Sequence, residues 1–377
     1  YTVEYHQGMD ALNCLRPSIE PTASGHIPEQ IALIERLMEA GYAYEVQGSV
    51  YFDLNAYQAS EFEYGALSGK VLEELQQASR GTLGQDEKRS PHDFALWKGH
   101  KDTEPASAQW PAPWGAGRPG WHLECSAMEH EYFELPFDIH SGGVDLIFPH
   151  HEDEIAQSAC GYGCEPTRFW MHNEHLMVDG KKMSKSLGNF YTLADLVAKG
   201  HSPESIRFFL VSNHYRSKLN LTDDAIVAAA KGLEKARNFL HLASVGDSGE
   251  TRPPRQIGER VQAAEQGFRA AMDDDLNTPA ALAAVHELIN DVMPILPLSP
   301  AEREPVEAFF RLAEATFGVR FFPEAIVVPE EVRALAEKRW QARLDKDWAE
   351  SDRLRDAIAE RGFTVRDGAD GYEVLPG

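Results

Sequence analysis

Between residues 28 and 40 the apolar side chains Ile31, Ile34, Leu37 and Met38 recur at the i, i+3, i+6, i+7 spacing of one helical face, with Pro28 at the start and Gly41 at the stop. That spacing predicts a helix. The pattern then changes: from Ala43 to Leu54, Tyr, Val and Phe flank Gln47-Gly48-Ser49, which predicts a hairpin. From about Gly81 to Gly120, Gly, Pro, Trp and charge replace periodic segments, so loop-rich surface or a cleft wall is expected. Between Trp121 and Thr192, short apolar runs at Phe137-Asp138-Ile139 and Leu146-Ile147-Phe148 alternate with helix-compatible stretches such as Glu152 to Cys160. Such alternation predicts an α/β sheet.

After Leu221 the character turns helical. Thr222-Asp223-Asp224 caps an Ala-rich helix to about Ala243, a polar linker runs to Pro254, and further helices are predicted over 256–274 and 278–293. A break at Val327-Val328-Pro329 precedes a basic-acidic helix pair, and Val365 to Val374 closes the chain as a hairpin around Asp370-Gly371.

A chain of 377 residues with 43% hydrophobic content exceeds one ordinary domain, and two or three cores are expected. No run of 18 apolar residues occurs, and Tyr1-Thr2-Val3-Glu4 has neither the basic nor the apolar region of a signal peptide, so a cytoplasmic protein without a membrane segment is expected. The absence of Met at Tyr1 suggests truncation or processing upstream. A formal charge of -24 argues against a general nucleic-acid coat, which needs a positive surface to release counterions. It leaves room for a specific RNA partner at local clusters, here Lys181-Lys182-Lys185 and the tail from Lys338 to Arg361. The 4 cysteines, Cys14, Cys125, Cys160 and Cys164, are too few for a disulfide framework, and reduced thiols are expected. Cys160 and Cys164 have no second close pair to complete a metal site.

Two constellations carry chemistry. In Lys182-Met183-Ser184-Lys185-Ser186, followed by Leu187-Gly188-Asn189, two lysines flank a small turn and can stabilise charge developing on a leaving pyrophosphate. The bland reading is a solvated basic loop. Gly120-Trp121-His122-Leu123-Glu124-Cys125-Ser126 stands with His150-His151-Glu152-Asp153-Glu154. If Pro149 opens a helix, His150 and Glu154 project from one face and could grip one ion with Cys125, a donor set of the right hardness for zinc. A salt-bridged helix end would have the same spacing. Gly142-Gly143-x-Asp145 follows an apolar strand, where glycines permit close backbone approach and a carboxylate can accept from a ribose hydroxyl. The tail's Lys338, Arg339, Trp340, Arg343, Lys346, Arg353, Arg355 and Arg361 alternate with acids, which suits a solvated helical face or an RNA site with an exposed Trp340 to stack on a base.

The lysine pentapeptide has the spelling of the KMSKS signature of class I aminoacyl-tRNA synthetases. Gly117 to Met128, Asp138-Ile139-His140-Ser141-Gly142-Gly143-Val144-Asp145-Leu146, Phe148 to Glu154, and Trp170-Met171-His172 resemble cysteinyl-tRNA synthetases, as do Met9 to Asn13, Arg16-Pro17 and Asp273 to Pro279. The resemblance implies an α/β fold: the C-terminal half of a Rossmann-like catalytic domain with an α+β insertion, then a helical bundle and a small α+β tail. It divides the chain into a connective region at 1–110, the catalytic half at 111–220, a tRNA-binding bundle at 221–325 and an anticodon-recognition domain at 326–377. One zinc ion held by two Cys, one His and one Glu is implied, with Cys125, His150 and Glu154 as ligands. The fourth ligand and the HIGH motif have no counterpart here and are expected upstream; Gly25-His26-Ile27-Pro28 lies in the wrong context.

By the same resemblance Trp121 and His140 shape the cysteine pocket, although His140 taken alone reads equally as a structural histidine at a strand end. Gly142, Gly143, Asp145, Met183, Ser184, Lys185 and Ser186 contact ATP, bound with Mg2+, and Lys182 and Lys185 act in catalysis. The implied reaction is ATP-dependent activation of L-cysteine to cysteinyl-adenylate and transfer to tRNA(Cys), by a monomer. Zinc suits the task because an apolar pocket rejects a near-isosteric hydroxyl by only about a hundredfold, whereas a soft metal prefers thiolate to hydroxyl. Two other readings compete. A cysteine ligase of mycothiol biosynthesis would share the adenylate chemistry but lack the tail after Val328, and a non-catalytic RNA-binding fragment would bind tRNA without forming an adenylate.

Overall fold

The computed structural model describes residues 1–70, 87–245, 256–322, 328–368 and 371–376. Internal contacts divide the chain into one unit of Tyr1–Ala229 with Asp275–Pro279 and another of Ala230–Asp274 with Ala280–Gly377.

The first unit opens with helix α1 (Thr2–Ala11), none of whose residues is buried, and helix α2 (Ile27–Glu39). Apolar periodicity does not announce α1. In α2 Ile34 and Leu37 of the predicted face are buried and Ile31 and Met38 half-buried, Leu33 outside the predicted spacing is buried beside them, and Pro28 sits in the first turn, where a missing N–H leaves no bond unmade. Strands β1 (Ala43–Val46) and β2 (Ser49–Phe52) form the expected hairpin. Gln47 and Gly48 take φ of 51° and 80° at its turn, as a two-residue loop matching strand twist requires.

After helix α3 (Leu54–Gln58), strands β3 (Phe94–Gly99) and β4 (Gly117–Pro119) extend the hairpin into a four-stranded antiparallel sheet of order β1-β2-β3-β4. The stretch expected to be loop-rich thus supplies two strands. Its composition hides them: Trp97 is fully buried in the core, and Gly117 lies so close to the Lys98 carbonyl and the Trp97 indole that no side chain fits. Residues 81–86 of that stretch lie outside the described residues.

Helix α4 (Trp121–Tyr132) leads into β5 (Phe137–Gly143), which pairs in parallel with β6 (Thr167–Asn173) through helix α5 (Glu152–Tyr162), a βαβ crossover. The apolar run Leu146-Ile147-Phe148 is not the strand its composition suggests. The Leu146 N–H closes a turn onto the Gly143 carbonyl at 2.9 Å, Phe148 is extended at φ -137° and ψ 129°, and the His151 N–H reaches back to the Leu146 carbonyl at 2.9 Å as the chain bends into α5. Pro149 has no N–H to give a strand ladder, and a wide turn accommodates it.

Strands β7 (Leu176–Val178), β8 (Lys181–Lys182) and β9 (Leu219–Leu221) make a three-stranded sheet of order β8-β7-β9. Helices α6 (Leu193–Ala198) and α7 (Pro203–Val211) pack beside it around Val178, Leu196, Ile206, Phe209 and Leu221.

Helix α8 (Asp223–Ser244) begins in the first unit, where the Thr222 hydroxyl accepts from the Ala225 N–H at 3.1 Å, the cap its sequence predicts. In the second unit its later turns join α9 (Ile257–Asp273), α10 (Thr278–Val292) and α11 (Pro300–Phe317) around Phe239, Phe268, Phe309, Phe310 and Phe317. The expected linker to Pro254 falls mostly on residues 246–255, outside the described residues. Helices α12 (Glu330–Leu344) and α13 (Trp348–Ala359) pack with the hairpin β10 (Phe363–Asp367) and β11 (Tyr372–Pro376) over Val332, Ala336 and Ile358. Asp370, placed by sequence at the turn of that hairpin, is outside the described residues. No helix among the described residues is long and apolar enough to cross a membrane.

Candidate functional site

Helix α4 carries Cys125 inward, and the entry to α5 carries His150 and Glu154. The i, i+4 spacing brings His150 Nε2 within 2.9 Å of Glu154 Oε1, and Cys125 Sγ lies 3.7 Å from the same nitrogen. Donor atoms of all three lie within 4.8 Å of one another. Burial, then the charges of Glu154 and Glu129, push the Cys125 thiol far above its ordinary range, so a nearby cation would be needed to hold a thiolate here. Glu154 is fully buried, yet neither of its oxygens has an aligned hydrogen-bond partner. Buried carboxylates are nearly always partnered. Sulfur, imidazole and carboxylate converging around such an orphan fit a tetrahedral transition-metal site.

Histidines crowd this cluster. His122 Nδ1 lies 2.6 Å from His150 Nδ1 and its Nε2 3.3 Å from Asp153, and His151 Nδ1 lies 2.8 Å from His172 Nε2. Burial and the neighbouring His150 push His122 down to about 3, and burial with His140, His172 and His150 does the same for His151, also about 3, so both rings are neutral. His140 differs. Burial pulls it down, but the hydrogen bond and charge of Glu129 and the charge of Glu154 outweigh that and raise it. Its Nε2 stands 3.5 Å from Glu154 Oε2, and its ring stacks on Trp170 at 4.6 Å. Trp121 is 59% exposed and stacks on His150 with centroids 4.3 Å apart, making one wall of the cluster. Tyr64 donates to Asp153 at 2.5 Å, and Glu152 accepts from the N–H groups of Gly65 and Ser68 at 3.1 and 2.6 Å, tying the connective segment to the start of α5.

His122 and His151 lie inside the sequence constellation and His172 in the Trp170-Met171-His172 motif, but the sequence assigns no role of its own to any of them or to Glu129. Glu129 had a signal, since it stands one helical turn after Cys125; the histidines come from different elements, and only the fold sets their meeting.

Gly142 and Gly143 end β5, at the carboxyl edge where open α/β sheets bind ligands. Gly142 must be glycine because a Cβ there would stand 2.8 Å from His151 Cε1, and a Cβ on Gly143 would collide with the Asp145 carboxylate. Asp145 is exposed in the turn that follows. Lys182 is exposed on β8, Met183 packs against the core beside it, and Lys185–Leu187 form a 3-10 turn. The Ser184 hydroxyl accepts from the Leu187 N–H at 3.2 Å and lies 3.2 Å from the Ser186 hydroxyl.

In the tail, Trp340 is half-buried beside Tyr372, centroids 6.0 Å apart, rather than exposed as expected for a stacking platform. Helix α12 turns that face toward the closing hairpin. Arg339 is buried and forks onto Asp367 at 2.7 and 3.0 Å, while Trp348 is 56% exposed. Among the described residues Cys160 and Cys164 belong to no metal-ligand cluster.

A βαβ sheet with glycines at its carboxyl edge, a lysine signature on a following sheet and a helical second unit define a class I aminoacyl-tRNA synthetase. Residues 1–231 match the family described as tRNA synthetases class I (C) catalytic domain, residues 267–313 a DALR domain, and residues 327–374 a cysteinyl-tRNA ligase anticodon binding domain. The chain belongs to the cysteinyl-tRNA synthetase family. It is 45% identical to the cysteine-tRNA ligase of Opitutus terrae over 100% of its own length and 79% of that protein. It is also 45% identical to the Micrococcus luteus cysteine-tRNA ligase, over 96% of this chain and 75% of that one. The fold resembles Mycobacterium tuberculosis methionyl-tRNA synthetase in complex with methionyl-adenylate, with a TM-score of 0.54 and 16% identity over 84% of this chain and 75% of that one.

Proposed function

We propose that the chain charges tRNA(Cys): the carboxylate of L-cysteine attacks the α-phosphate of ATP, pyrophosphate leaves, and the cysteinyl group of the adenylate passes to the 3′-terminal ribose. The orphaned Glu154 carboxylate beside Cys125 and His150 carries the amino-acid specificity in this reading. These three residues would hold one zinc ion, which when bound supplies a soft acceptor for the substrate thiolate. Trp121 and His140 shape the pocket around it, Trp121 by stacking on His150 and His140 through its contact with Glu154.

In this reading Gly142 and Gly143 leave the sheet edge open to the nucleotide, and Asp145 accepts from a ribose hydroxyl. Met183, Ser184, Lys185 and Ser186 close on the triphosphate with its Mg2+, and Lys182 and Lys185 stabilise the charge that develops on the leaving pyrophosphate. Positioning and electrostatics carry this reaction without a protein nucleophile. Residues 1–110 connect, 111–220 complete the catalytic half, 221–325 bind the body of the tRNA and 326–377 its anticodon, in a cytoplasmic monomer.

Elemental analysis of the purified chain, beside Cys125→Ala and His150→Ala, tests the reading together with ATP-pyrophosphate exchange driven by cysteine or serine. One zinc per chain, lost in both variants, with exchange driven by cysteine alone is the expected result. Exchange driven equally by serine, or zinc retained in both variants, would sink it.

A further inference from the structure

Glu129 lies on α4 one turn beyond Cys125, so both side chains leave the same helical face. Its Oε1 stands 2.9 Å from His140 Nδ1, and His140 presents its other nitrogen to Glu154 Oε2 at 3.5 Å. Glu154 in turn offers Oε1 to His150 at 2.9 Å. The series runs carboxylate, imidazole, carboxylate and ends on a candidate metal ligand. Three of its buried atoms, Glu129 Oε2 and both Glu154 oxygens, have no aligned hydrogen-bond partner. Three carboxylate oxygens of this kind along one path mark a group of side chains whose geometry is completed by something positive at its end.

We propose that Glu129 is a positioning residue for the metal, orienting His140 so that His140 holds one oxygen of Glu154 and leaves the other for the ion. A carboxylate with two free oxygens can rotate or chelate; one oxygen held from behind presents a single lone pair in a fixed direction. Outer partners of this kind alter metal affinity by about 10–100-fold. The register supplies the partner: His140 sits on β5 opposite Trp170 of β6, and the Trp170 ring stacks on the imidazole and fixes its plane. The inference rests on the proposed metal site but names residues outside its ligand set.

The test is zinc affinity of the full chain, measured by competition with a chromophoric chelator, for the parent, Glu129→Ala, Glu129→Gln, His140→Ala and the Glu129→Ala/His140→Ala pair. Exposed Glu131→Ala on the same helix is the control. Glu129→Ala and His140→Ala should each weaken zinc binding about 10–100-fold. The double variant should be no weaker than either alone, because both remove one support. Glu129→Gln, isosteric and able to accept from Nδ1–H, should recover part of the loss while keeping the parent's fold by circular dichroism. Parental affinity in Glu129→Ala, or additive losses in the pair, would overturn the proposal while leaving the metal reading intact if Cys125→Ala still loses zinc. A parent chain that takes up no zinc would overturn both.

Discussion

Asn189 clasps the backbone of Lys182: its side-chain amide donates to the Lys182 carbonyl at 3.1 Å, while its side-chain oxygen accepts from the Ser184 N–H at 2.9 Å. One short side chain thus fixes both ends of the segment that presents the first signature lysine. Each bond contributes about 0.5–1.5 kcal/mol net, so Asn189→Ala should slow cysteine-dependent ATP-pyrophosphate exchange about tenfold, since ~1.4 kcal/mol is a factor of ten. The loss should fall on kcat, with the KM for cysteine unchanged. A variant at parental rate would show that the loop's geometry is set elsewhere.

Gly142→Ala tests the backing of the sheet edge by His151. The added Cβ would stand 2.8 Å from His151 Cε1 and 3.0 Å from Leu146 Cδ1, so the ring must shift and its contact with His172 with it. Overpacking of this kind costs about 1–3 kcal/mol, and the variant should melt at a lower temperature and raise the KM for ATP or cysteine. Parental melting and kinetics together would mean the imidazole has room to move.

Tyr64→Phe removes the hydroxyl that donates to buried Asp153. Leaving that carboxyl oxygen without its donor should cost about 1–3 kcal/mol, read as a lower denaturation midpoint with unchanged slope in urea. An unchanged midpoint would show that another donor replaces the hydroxyl.

Acid should loosen the C-terminal helix pair and hairpin through Asp367. The hydrogen bonds from Arg339, with the nearby Arg343, hold its carboxyl below the usual range. A carboxylate depressed by folding stabilises fully above its unfolded pKa of about 3.9, and that contribution is lost as pH falls through the lower folded value. Trp340 fluorescence, reporting its packing against Tyr372, should show Asp367→Asn already destabilised by about 1–3 kcal/mol at pH 7, with a flatter dependence below pH 4. A variant as acid-sensitive as the parent would assign the transition to other groups.

Local periodicity made much of this legible. The face of α2, the Gln47-Gly48 turn, the Thr222 cap and the His150–Glu154 spacing are each set by residues within one or two turns of each other, and each stands where the sequence places it. What pairing across distance decides was not legible. β3 and β4 are written in Trp, Gly and Pro and become strands only against β2. Leu146-Ile147-Phe148 has a strand's composition but is bent by the turn before Pro149. The histidine cluster depends on the parallel register that sets His140 beside Trp170 and on the helix that returns His151 toward His172. Trp340 has the look of an exposed platform until the final hairpin covers it.

Glu152, Asp153 and Glu154 enter the formal charge of -24 as three consecutive negatives, yet all three are buried. Glu152 is answered by two backbone N–H groups, burial favours the neutral form of Asp153, and Glu154 faces imidazoles. The field reaching into solvent is therefore weaker than the composition states. Long-range fields change encounter rates by about 10–10³-fold, so an arriving polyanion meets less repulsion than the formal charge implies.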